Sequence, residues 1–229
     1  MKKHIIIFGG SSFLAQEVFK NFKKKKINIT SFSRKKKVNN HKTDYSLKSI
    51  IKLLSNKIKN DETPVFVFFN SIPDNSIFKN FLEKDIKKII EINLTMPIIL
   101  TNGLLKKYFF QKPKFIFISS SRALKGDKGI ALYSTTKNGI KSFSRNIALE
   151  YANYGIVSKV IHLGLFKGGL KDKLSIHSNT KILKNTFNGE YLKIKQLINT
   201  LEFAINDSRG NGSEFFVIMD IFKKYNNFF

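Results

Sequence analysis

Six short runs crowded with Ile, Val and Phe recur along this chain, at residues 4–8, 27–32, 65–69, 114–119, 157–162 and 215–219, and longer stretches with helical spacing separate them. Runs such as VFVFF (65–69) and FIFI (115–118) are apolar without alternation, which a strand requires only where both of its faces are covered. Helices are expected between the runs at about 12–23, 46–59, 78–110 with a kink at Pro97, 133–154 and 191–206. This order predicts an α/β fold, a doubly wound and mostly parallel sheet with helices on both faces. No Pro/Gly/Ser-rich linker divides the pattern, so residues 1–229 read as one domain. Sheets of this kind bind ligands beyond the carboxyl ends of their strands, where the strand order reverses.

Composition narrows the chemistry. The absence of cysteine removes disulfides, thiolate catalysis and thiolate metal sites together, and the four histidines (His4, His41, His162, His177) lack ligand spacing, so no metal is expected. Apolar runs of only a few residues predict no membrane-spanning helix. The opening MKKHIIIFGGSS has too short an apolar part for a secretory signal, and a cytoplasmic protein is expected. The formal charge of +25 is the most unusual bulk property. Its lysines are spread from end to end, with runs only at 23–26 and 35–37, and arginine occurs only four times. That distribution points to a solvated lysine-rich surface, with an anionic substrate as the functional alternative and nucleic acid a distant third.

In IIIFGGSSFLAQEVF (5–19), the first strand gives way to Gly9 and Gly10, which permit a tight turn. Ser11 and Ser12 then offer a helix cap and hydroxyl donors before Phe13 and Leu14 begin the helix. Free N–H groups at such a helix start suit a phosphate, although an ordinary strand-to-helix turn uses the same residues. The second strand runs into SFSRKKK (31–37). Where a dinucleotide-binding sheet commonly places a carboxylate for the adenosine ribose, this chain has Arg34, three lysines and no acid until Asp44. A 2′-phosphate fits that loop better than a bare ribose, so the expected cofactor is NADP.

ALYSTTKNG (131–139) places Tyr133 four residues before Lys137. With 7 tyrosines among so many lysines, roughly one YxxxK is expected by chance. Three occur: Tyr108/Lys112, Tyr133/Lys137 and Tyr191/Lys195. On a helix such a pair shares a face, where a nearby ammonium favours the phenolate and lowers the tyrosine pKa toward the range of a general acid.

What singles out the middle pair is its company. FIFISSSRALKGDKGIALYSTTKNG (115–139) puts Ser120 thirteen residues before Tyr133, and EINLTMP (91–97) supplies Asn93 upstream. In these features the chain resembles the short-chain dehydrogenases/reductases, from its first strand to its last. The resemblance implies a Rossmann-like fold and carbonyl reduction with a nicotinamide cofactor. Tyr133 would protonate the carbonyl oxygen and Ser120 would hold it. Lys137 would also bind the nicotinamide ribose, and Asn93 would position a water relaying protons to Lys137. Asn93 reads equally as a polar residue bonding to backbone near a helix irregularity.

The family's glycine-rich loop is altered here. Gly9 matches its first glycine and Ala15 stands at the third, with Ser12 or Phe13 at the second. After the fourth strand the family's Asn-Asn-Ala-Gly becomes FNSI, in which Asn70 matches the second asparagine and Ile72 replaces glycine. After the sixth strand Pro-Gly becomes Leu163-Gly164, and Gly168 stands where a threonine is usual. Asp44 occupies the family's adenine-binding aspartate position, though it also suits the start of the helix near Ser46.

By the same resemblance, substrate choice resides after the sixth strand, where residues 165–190 are expected to form a mobile lid. Its Lys167, Lys171, Lys173, Lys181 and Lys184 would suit an anionic substrate. A homodimer or homotetramer is also implied. The stripe Ile140, Phe143, Ile147 and Tyr151 fits that pairing or a buried core face. The alternative to an enzyme is a dinucleotide sensor or scaffold on the same fold.

Overall fold

The computed structural model describes residues 2–35, 40–74, 76–124, 127–166, 191–207 and 210–217. Seven strands form one sheet, every neighbouring pair parallel: β1 (Lys2–Phe8), β2 (Asn28–Ser33), β3 (His41–Lys42), β4 (Glu62–Phe68), β5 (Lys114–Ser120), β6 (Val157–Leu163) and β7 (Glu214–Val217), in the order β3-β2-β1-β4-β5-β6-β7. The doubly wound arrangement is as expected. Six of the strands were foreseen. The short β3 was not, because a two-residue edge strand carries no apolar run.

Strand chemistry sorts the two faces. In β4 and β5 the side chains alternate, so Val65, Val67, Ile116 and Ile118 point to one side and Phe66, Phe68, Phe115 and Phe117 to the other. The aliphatic side is closed by α1 (Phe13–Lys24), through Ala15, Val18, Phe19 and Phe22, and by α6 (Ile194–Asn206), through Leu197, Leu201 and Ala204. The phenylalanine side is closed by α2 (Leu47–Ser55), α4 (Met96–Tyr108) and α5 (Ala131–Glu150). Across that side the rings of Phe32, Phe8, Phe68 and Phe117 stack in sequence, with centroids 5.6, 5.0 and 5.0 Å apart, and Phe143 of α5 meets Phe117 edge-on at 5.8 Å.

The expected helix at 78–110 is interrupted. A 3-10 turn (Phe78–Asn80) precedes α3 (Glu83–Ile90), and a π-helical turn over Glu91–Thr95 joins α3 to α4. The irregularity thus lies ahead of Pro97, which sits in the first turn of α4, where its missing N–H is no loss. By length and composition alone, Glu83–Gln111 is apolar enough to cross a membrane. Its apolar side is instead spent on the phenylalanine-side core through Leu100, Leu104 and Tyr108.

Lysine enters the interior too. Lys159 is fully buried and its ammonium donates to the Asp207 carbonyl and carboxylate (2.7 and 2.9 Å), while Lys114 donates to the Ile205 carbonyl (2.9 Å). Both satisfy carbonyls at the C-terminal end of α6, where positive charge is favoured.

Candidate active site

The strand order reverses between β1 and β4, so the crevice lies at their carboxyl ends. Phe69 N–H donates to Phe8 O (2.8 Å) and draws the two strand ends together. Gly9, with φ +80°, has no room for a side chain, since a Cβ there would stand 2.6 Å from the Asn70 nitrogen. Ser12 caps α1, its hydroxyl accepting from Ala15 N–H (3.3 Å), and Ser11 precedes it half-buried. Phe13 keeps 40% of its surface exposed, so its ring is not packed into the turn, and Leu14 packs against the aliphatic core.

At the neighbouring strand end, Arg34 and Lys35 are exposed, while Lys36 and Lys37 lie outside the described residues. Asp44 is exposed and its carboxylate accepts from Ser46 N–H (2.8 Å), the contact of a residue ordering the start of α2. Tyr45, which the sequence did not single out, accepts from Gly9 N–H (2.9 Å) and donates to Phe32 O (3.1 Å), pinning the glycine turn to β2. Gly164 donates its N–H to Val217 O (2.8 Å) at the ends of β6 and β7. Gly168 and the five lysines expected in the lid lie outside the described residues, as does all of 165–190 except Leu165 and Phe166.

Tyr133, Lys137 and Ser120 do converge. Ser120 ends β5, and Tyr133 stands in the first turn of α5 with its hydroxyl facing those of Ser120 and Ser71. Ser120 Oγ accepts from Arg122 N–H (3.3 Å), which leaves its own proton free to donate. Lys137 is 3% exposed. Its ammonium donates to Ile118 O (2.8 Å) and lies 5.7 Å from the centroid of the Tyr133 ring.

The electrostatics depart from the expectation. Burial pushes the Tyr133 phenol above its ordinary value, opposed by Ser120, Ser71 and the positive charge of Arg122 and reinforced by Asp74. Burial likewise pulls Lys137 down to about 8. Desolvation of the phenol therefore outweighs any lowering by a neighbouring charge, and Tyr133 is held in its protonated form.

Asn93 is buried in the π-helical turn with both ends of its amide used. Oδ1 accepts from Ile72 N–H (2.8 Å), and Nδ2 donates to Ile72 O (2.9 Å) and Thr136 Oγ1 (3.3 Å). Its side chain thus ties the loop after β4 to α5, the backbone-bonding reading of this residue. Asp74, absent from the sequence expectations, is buried in the same loop and accepts from the N–H groups of Leu132 and Tyr133 (2.8 and 3.1 Å). The other two YxxxK pairs are elsewhere. Tyr108 is buried against Phe66, and Lys112 precedes β5 at the amino end of the strands, opposite the crevice. Tyr191 and Lys195 flank the start of α6.

Three buried polar atoms along the crevice, Asn70 Oδ1, Ser71 Oγ and Ser121 Oγ, have no partner among the described residues. Together with the Lys137 ammonium and the capped turn at Gly9 they fit a polar, phosphate-bearing ligand laid across the β1/β4 reversal. Fold and site together define a dinucleotide-binding protein of the Rossmann class.

The chain belongs to the short chain dehydrogenase family, whose pattern matches residues 3–179. Among curated relatives, the 3-oxoacyl-[acyl-carrier-protein] reductase FabG of Rickettsia felis is 28% identical over 126 residues, 55% of this chain and 52% of that protein. The enzyme of the same name from Haemophilus influenzae is 25% identical over 166 residues, covering 71% and 69%. The chain thus matches about half the length of the first of these relatives. Among solved structures, ElxO with NADP bound superposes with a TM-score of 0.83 at 19% identity, over 96% of this chain and 98% of that one. A 4-hydroxyisoleucine dehydrogenase complexed with NADH gives 0.81 at 19% identity, over 96% and 98%. At such identities these likenesses speak for the fold alone.

Proposed function

We propose that the protein is an NADP-dependent oxidoreductase acting in the cytoplasm, moving hydride between nicotinamide and a carbonyl or hydroxyl substrate. The observation that carries the reading is the convergence of Tyr133, Ser120 and Lys137 at one end of the sheet, with the phenol protonated and facing the serine. When bound, the nicotinamide supplies the hydride for reduction. Tyr133 gives its proton to the carbonyl oxygen, and Ser120 donates a hydrogen bond to the same oxygen, so developing negative charge meets donors already in place. Lys137, anchored on Ile118 O, keeps further N–H groups for the ribose hydroxyls. Asn93 holds the loop and α5 at the distance this arrangement requires, and Asn70, whose Oδ1 is free, would help to hold the dinucleotide.

A panel of carbonyl and alcohol substrates with NADPH and NADP, followed by nicotinamide absorbance, tests the reading. A carrier-bound 3-oxoacyl group belongs first in the panel because the bacterial relatives are named for it, and it is also anionic. Turnover of a member supports the enzyme, and silence across the panel favours a dinucleotide sensor.

Cofactor choice rests on Arg34. With Arg34 and Lys35 exposed at the end of β2, a 2′-phosphate gains charge-assisted hydrogen bonds that a bare ribose does not. NADPH is expected to bind at least about tenfold more tightly than NADH, the gap shrinking at high salt. Arg34→Asp should narrow or invert it, as read by nicotinamide fluorescence. Equal affinities in the wild type would leave the loop as solvated surface.

We also propose a homodimer or homotetramer. In the stripe, Ile140, Phe143 and Tyr151 pack into the phenylalanine-side core and Ile147 is buried, so the stripe serves the core face. The support comes from Ile99, Phe110 and Leu149 on α4, the turn after it and α5, which are 52%, 95% and 79% exposed. Light scattering at micromolar concentration should give at least twice the chain mass.

A further inference from the structure

The loop after β4 contributes a buried carboxylate that the catalytic arrangement above does not use. Asp74 is 2% exposed, and its Oδ2 accepts from two consecutive N–H groups in the first turn of α5, those of Leu132 and Tyr133 itself (2.8 and 3.1 Å). Its Oδ1 is buried without a partner among the described residues. A neutral cap would satisfy the same N–H groups without bringing a desolvated charge beside the acid, so the choice of a carboxylate asks for a reason. The residues facing the phenol supply one: Arg122 brings positive charge from the turn after β5, Lys137 lies one helical turn along α5, Ser120 and Ser71 offer hydroxyls, and Asp74 brings the negative charge.

We propose that Asp74 is the positioning residue for the proton donor, holding the backbone of Tyr133 against the loop after β4 while countering the positive charge of Arg122 at its hydroxyl. The inference rests on the reading of Tyr133 as the acid. Asp74 opposes loss of the phenolic proton, and Arg122, paired with Asp127 through Nε and Nη2 (3.1 and 2.5 Å), promotes it.

Asp74→Ala removes both the acceptor and the charge. It should lower kcat by about tenfold or more while the KM for the dinucleotide stays within about twofold. Asp74→Asn keeps an oxygen for the two N–H groups and removes only the charge. It should retain kcat within a few-fold and raise the fraction of Tyr133 ionised at pH 10. That fraction is read without substrate as tyrosinate absorbance, after subtracting the matching Tyr133→Phe proteins, with circular dichroism confirming the fold. Wild-type kcat in Asp74→Ala, or unchanged Tyr133 ionisation in Asp74→Asn, would overturn the proposal. If Asp74→Ala does not fold, the asparagine variant decides alone. A panel without turnover counts against the enzyme, whereas the ionisation measurement still decides the role of Asp74.

Discussion

Tyr133→Phe is expected to reduce turnover by about a hundredfold to ten-thousandfold, the usual contribution of a positioned general acid, while dinucleotide binding survives. The ring remains and only the oxygen and its proton leave, so packing around the first turn of α5 is preserved. Because burial keeps the phenol protonated, wild-type reduction should not be limited by the ionisation of Tyr133 across neutral pH. Tyr108→Phe and Tyr191→Phe are the controls and should leave the rate nearly unchanged. Steady-state kinetics on a confirmed substrate, with nicotinamide fluorescence for binding, makes the comparison. Wild-type activity in Tyr133→Phe would remove the proposed acid.

Lys137→Met should damage function more broadly and yet make the protein more stable. The ammonium is buried and its pKa is drawn from 10.5 to about 8, so the folded state holds that proton less tightly than the unfolded chain. At neutral pH this costs the fold about 3 kcal/mol, and the cost disappears as pH rises from about 8 to the unfolded value. Methionine fills a similar volume without the charge, so Tm at pH 7 should rise. Turnover should fall by about a hundredfold or more, and dinucleotide affinity by about tenfold, since charge-assisted hydrogen bonds to the ribose are lost. The sign with pH is opposite for function. The ammonium is present below about pH 8, so wild-type kcat/KM should decline as pH rises through that value, a decline missing from the residual activity of Lys137→Met. A variant both inactive and less stable would show that Lys137 serves mainly to hold the fold.

The sheet was legible because its strands are apolar runs without alternation, the mark of strands covered on both faces. The glycine turn was legible for a related reason: only glycine fits beside Asn70 at φ +80°. Local pattern failed where the decisive contact was distant. Asp74 stands in IPDNS, which reads as an ordinary turn, and its partners lie 58 and 59 residues further on. Tyr45 likewise gives no sign in sequence that its hydroxyl reaches back to Gly9. For Asn93 the position was foreseen, but spacing could not reveal that the amide is already committed to Ile72. The Tyr133/Lys137 pair was found by spacing, whereas the direction of the tyrosine shift was misjudged, because burial is a property of the assembled core.

The row of rings from Phe32 through Phe8, Phe68 and Phe117 to Phe143 acts as a ruler. It starts on β2, the strand that ends just before Arg34, and ends on the helix that carries Tyr133, so the interval between these two ends of the crevice is set by close-packed aromatic thickness. Loops on either side can rearrange without changing that interval. A ligand must match a fixed span, and adaptation to new substrates falls to the loops at its ends.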